Sequence, residues 1–117
     1  MDDHISEIAG NEQVWIAADW VSRFELPLPD SDTGYGHGPD QVAAVVPPTE
    51  LLVGYFDEVQ AMVSAAIEGL ASDDLDRIID RRWDPPVTVG VRLVSVIGDA
   101  LQHLGQAGYV LGLSQRR

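Results

Sequence analysis

The sequence predicts an all-α fold, a helical bundle, on three observations. Two stretches of more than twenty residues, about 49–70 and 88–113, repeat apolar residues at intervals of three and four. Cap signals stand before both stretches, while prolines and glycines break the chain between them. Strand patterns are weak throughout. With 117 residues, 45% of them hydrophobic and 22% charged, the chain has the size and composition of one globular domain spanning residues 1–117.

The first helix is expected over residues 2–9. Asp2 and Asp3 suit a helix N-terminus, Ile5, Ile8 and Ala9 recur at helical spacing, and Gly10-Asn11 ends the run. It starts abruptly, as a longer pattern would if cut. Residues 12–24 form a second stretch with Val14, Trp15, Ala18, Val21 and Phe24 on one face, closed by Pro27 and Pro29. Residues 30–39 are dense in turn formers and read as a loop, and a short helix over 40–45 precedes Pro47-Pro48.

The first long helix, 49–70, has Thr49 as its expected cap and Gly69 near its exit. Leu52, Tyr55, Phe56, Val59, Met62, Val63, Ala66, Ile67 and Leu70 give it a wide apolar face. Ser72-Asp73-Asp74 is a second cap signal, predicting a short helix from Leu75 to Ile79, and Trp83-Asp84-Pro85-Pro86 is a rigid connector. Thr88 caps the last helix, whose expected core stripe is Val89, Leu93, Val96, Ile97, Ala100, Leu104, Ala107 and Leu111. Val42–Val46 and Val87–Val96 are valine-rich, but caps and spacing favour helix for the second. Two long helices are few for a stable bundle, so the core is expected to be completed by residues 2–24, a second subunit or a missing segment.

Charge narrows the function classes. The net charge is −12, with seven basic against nineteen acidic residues. That balance argues against nucleic-acid phosphates and anionic lipid as partners. Cysteine is absent, which removes disulfides, thiolate ligands and cysteine nucleophiles. Without a signal-peptide pattern or an apolar run near membrane-spanning length, a soluble cytoplasmic protein is expected.

The chemistry-bearing feature is a polar stripe on the last helix. Asp99 and His103 are four apart, one above the other on a helix, with Gln106 three further on and Arg92 and Ser95 preceding on nearly the same face. A carboxylate and an imidazole at that spacing reach one divalent ion, but a catalytic zinc site keeps three protein ligands. The alternative is an Asp–His hydrogen bond on a solvated face. His4 and His37 are the other histidines. The loop starting at Asp30 fails as an EF-hand, with Tyr35 where glycine is needed and Gln41 where glutamate is needed. It is read as structural, with Tyr35 and His37 lining a pocket mouth. No glycine pattern suits a phosphate loop, and Ser95 and Ser114 lack a nucleophile context.

Several segments together resemble the DinB-like family, the helical-bundle proteins that include mycothiol- and bacillithiol-dependent transferases. They are Arg82-Trp83-Asp84-Pro85-Pro86-Val87-Thr88, the run Gly90 to Val96, and Asp99 through Val110 with its His103-Leu104-Gly105-Gln106 core. Gln13-Val14-Trp15 and Asp32 to His37 add to it. The resemblance covers nearly the whole chain. It implies an up-down four-helix bundle, here incomplete at the N-terminus because the chain begins inside the family's second helix. It implies a divalent metal, zinc or nickel, held by three side chains. His103 matches the last ligand, and Asp99 stands where relatives carry histidine or glutamate. His4 is the candidate third ligand, although the relatives' ligand segment lies about two turns before its position. Gln106, Tyr35 and His37 are the candidate substrate contacts.

Two functions follow. One is a metal-dependent thiol transferase or isomerase-like enzyme using a low-molecular-weight thiol. The other is a non-catalytic helical oligomerisation module with a vestigial metal site. Loss of a helix would bare an apolar stripe, so a homodimer, or a fragment completed in trans, is expected.

Overall fold

Both long helices form where the apolar periodicity puts them. In the computed structural model, which describes residues 1–116, the order is α1 (Asp2–Ala9), α2 (Val14–Ala17), α3 (Trp20–Phe24), α4 (Pro39–Ala43), α5 (Thr49–Glu68), a 3-10 turn (Ser72–Asp76), β1 (Ile78–Asp80), β2 (Val87–Thr88) and α6 (Val89–Ser114). The chain is mostly helical, with one small two-stranded sheet. It divides into two compact units, Asp2–Gly69 and the segment from Leu70 onward. Among the described residues no helix is long and apolar enough to cross a membrane.

In the first unit α1, α2 and α3 pack against α5. Ile5 and Ile8 are buried on α1, Trp20 on α3 and Val59 on α5. The stretch expected as one helix over 12–24 is two, because Asp19 adopts a left-handed conformation (φ 56°) that breaks it after Ala18. Aspartate tolerates that region better than most residues. The break lets Trp20 turn inward against Gly54, where a Cβ would lie 2.7 Å from the indole. Trp15, Trp20, Phe24 and Tyr55 form a cluster of edge-on and tilted ring pairs with centroids 5.0–6.0 Å apart. Pro48, rather than Thr49, occupies the cap position of α5.

The second unit departs more from expectation. The helix predicted from Leu75 to Ile79 does not form. The Asp74 carboxylate accepts from the Ala71 N–H at 2.9 Å and closes a 3-10 turn, and Arg77 then extends the backbone. The β-branched Ile78 and Ile79 enter β1, which pairs antiparallel with β2, Ile78 opposite Thr88. The Val89 N–H donates to the Arg77 carbonyl at 2.9 Å, so the ribbon runs directly into α6. Thr88 caps α6 as predicted, its hydroxyl accepting from the Val91 N–H at 3.3 Å. Its own unit leaves the later part of the expected α6 core stripe uncovered. Val89 and Val96 are buried, whereas Ile97, Leu104 and Leu111 are exposed.

Candidate metal centre on the last helix

Asp99 and His103 face each other one turn apart on α6, with His103 Nε2 3.5 Å from Asp99 Oδ1. Both side chains are about two-thirds exposed (66% for Asp99, 68% for His103). On the far side of the ring, Nδ1 lies 3.1 Å from Gln106 Oε1. An amide oxygen only accepts, so this contact favours the tautomer with the proton on Nδ1 and leaves the Nε2 lone pair toward Asp99. Metal-binding histidines are oriented by such a partner on the second nitrogen.

The spacing allows a direct test of fit. Zinc bonds to nitrogen and oxygen are about 2.0–2.2 Å, so two ligands of a tetrahedral site lie about 3.3–3.6 Å apart. The 3.5 Å separation of His103 Nε2 and Asp99 Oδ1 falls in that interval. The pair thus fits two corners of a divalent-metal site. Among the described residues, no group of three or more His, Asp or Glu side chains is gathered around a common metal position.

The other candidates have their own surroundings. His4 stands on α1 with its Nδ1 3.5 Å from Asp3 Oδ2. His37 pairs with Asp32 at 2.9 Å inside the glycine-rich loop, its side chain 12% exposed. Tyr35, between two glycines of positive φ in that loop, is almost entirely exposed. Arg92, expected on the polar stripe, reaches Asp80 Oδ2 at 3.6 Å.

Two carboxylates do work that their spacing did not announce. Asp2, expected only to favour a helix N-terminus, is buried and accepts from Val14 N–H (2.9 Å), Trp15 N–H (2.9 Å), Ser6 Oγ (3.1 Å) and Tyr55 Oη (2.7 Å). Burial, then the hydrogen bond to Asp2 and its negative charge, push the Tyr55 hydroxyl well above the usual phenol range. Asp80 accepts from the Arg82 backbone N–H and from its guanidinium at 2.9 and 2.8 Å, with Arg92 close by. Hydrogen bonds from Arg82 hold the Asp80 carboxyl far below the ordinary aspartate value, against the opposing effect of burial. The Asp80-Arg81-Arg82 sequence was the available signal for this second cluster. Nothing local in the sequence marks Asp2 as buried.

The comparisons agree with this architecture. A crystal structure described as the conserved protein of locus from Enterococcus faecalis superposes with a TM-score of 0.85 at 37% identity, over 92% of this chain. The chain spans 64% of that structure's length, less than two thirds of it. No curated protein matches the chain. The family profile for mycothiol-S-transferase matches residues 4–111, from α1 through nearly all of α6. That match over most of the chain shows that it belongs to the mycothiol-S-transferase family, within the DinB-like fold.

Proposed function

We propose that the chain is a metal-dependent thiol transferase. Its ion, zinc or nickel, would be held by Asp99 and His103. The carrying observation is the 3.5 Å Asp99–His103 pair, with His103 oriented by Gln106, in a chain of this family. A bound divalent ion would supply positive charge that lowers the pKa of a thiol beside it, so that thiolate is available near neutral pH.

Asp99 brings a negative charge and an oxygen donor, and His103 brings a neutral nitrogen donor. Gln106 keeps the imidazole from rotating, and its amide N–H2 remains to contact substrate. The net reaction forms a carbon–sulfur bond and breaks the bond to the electrophile's leaving group, which departs with the thiol proton. His4 enters as the third ligand on the family resemblance alone.

Because the chain has no cysteine, free-thiol titration reads the substrate thiol directly. Protein loaded with zinc or nickel should consume mycothiol in the presence of an alkylating electrophile, and Asp99→Ala or His103→Ala should slow this by about 100-fold or more. Consumption that matches the rate without protein would refute the proposal.

A second reading has its own support. Its own unit leaves much of the apolar surface of α6 uncovered, which favours a helical oligomerisation module with a vestigial metal site. That reading predicts an assembled protein that consumes no thiol.

A further inference from the structure

Helix α3 stands between two backbone positions that side chains rarely occupy. It has five residues, and Asp19 before it and Glu25 after it are both left-handed, at φ 56° and 48°. Among the described residues, the other positions of positive φ are glycines. Aspartate tolerates this region, glutamate does so less well, and in both the Cβ crowds the following carbonyl. Strain of this kind persists only where the surrounding packing holds it.

That packing comes from side chains and little from the backbone. Trp20 lies against Gly54 on α5, and its Nε1–H donates to Glu58 Oε2 at 2.6 Å. The rings of Phe24 and Tyr55 flank it, with centroids 6.0 and 5.8 Å away. The Arg23 guanidinium, on α3 itself, lies 3.5 Å from the indole centroid. The backbone bonds at the ends of α3 are long and internal to the segment. Arg23 N–H donates to the Asp19 carbonyl at 3.4 Å, and Glu25 N–H to the Val21 carbonyl at 3.3 Å. The Ser22 hydroxyl donates to Asp19 Oδ1 at 2.6 Å, which ties the first hinge to α3 rather than to α5. A five-residue helix has no stability of its own. All of these groups belong to the Asp2–Gly69 unit.

We propose that α3 is a strap that opens by itself, pivoting at Asp19 and Glu25 and drawing Trp20 out of its slot on α5. Both hinges then return to ordinary φ, so released strain offsets part of the lost packing. Two features confine the motion to α3. Asp2 accepts from the start of α2 and from Tyr55, so α1, α2 and α5 stay joined. Pro27 and Pro29 stiffen the chain beyond Glu25. The open strap uncovers Gly54, the Tyr55 ring and the Glu58 carboxylate.

Hydrogen exchange followed by NMR on the full chain, in urea below the unfolding transition, tests the proposal. The Trp20 indole N–H and the α3 amides should be protected at least about tenfold less than the α5 amides around Val59. Their exchange should depend little on urea, because a local opening exposes little surface. Asp19→Gly with Glu25→Gly removes the strain and should slow α3 exchange by at least about fivefold. Glu58→Leu removes the acceptor of the indole N–H and should speed it about tenfold. Equal protection and equal urea dependence in α3 and α5 would overturn the proposal. So would α3 exchange that the glycine pair leaves unchanged or accelerates, or that is indifferent to Glu58→Leu.

Discussion

At Asp2 one buried carboxylate holds the ends of three helices together, because its two oxygens accept from α1, from the start of α2 and from Tyr55 on α5. Tyr55→Phe removes one donor and should cost about 1–2 kcal/mol, read by urea denaturation. The same pair sets an alkaline limit. A phenol whose pKa is raised on folding stabilises the fold fully below its unfolded value, about 10, and that stability is lost as pH rises beyond it. Wild type should therefore lose stability above about pH 10 more steeply than Tyr55→Phe. Asp80 acts at the other end of the scale. Its pKa is lowered on folding, so its contribution is present above the unfolded aspartate value, about 3.9, and fades as pH falls below it. Asp80→Asn should lower the melting temperature at pH 7 and flatten its decline in acid. Gly54→Ala places a methyl against the buried Trp20 ring. It should destabilise by about 1–2 kcal/mol despite alanine's better helix propensity, with a changed tryptophan emission as the local readout.

Among the elements, those with long periodic patterns were legible in the sequence and those decided by a single side chain were not. The Thr88 cap and the lengths of α5 and α6 follow from local rules, and Thr88→Ala should cost about 1 kcal/mol of stability in a denaturant titration. The 12–24 stretch breaks at Asp19 because burial of Trp20 outweighs helical continuity, which periodicity cannot show. The β-ribbon was hidden for a related reason. Ser72-Asp73-Asp74 is a sound cap signal, but the turn it opens is ended by pairing of Ile78 and Asp80 with a partner strand several residues later. On α6 the apolar residues were recognisable as a stripe, yet its own unit leaves Ile97, Leu104 and Leu111 uncovered. A stripe says which face is apolar and leaves open what covers it.

For the molecule as a whole, two polar sites at one-turn spacing were readable from sequence: the Asp99–His103 pair and its neighbour Gln106. Their 3.5 and 3.1 Å contacts follow from helix geometry alone. Third-ligand identity is a tertiary property, and the sequence could nominate His4 only through resemblance. Elemental analysis of the purified protein after incubation with zinc or nickel and exhaustive dialysis tests most directly whether Asp99 and His103 are metal donors. About one metal ion per chain is expected, falling to near zero in both Asp99→Ala and His103→Ala while their helical dichroism is unchanged. A wild-type chain without metal, or one whose metal content survives both substitutions, would contradict it.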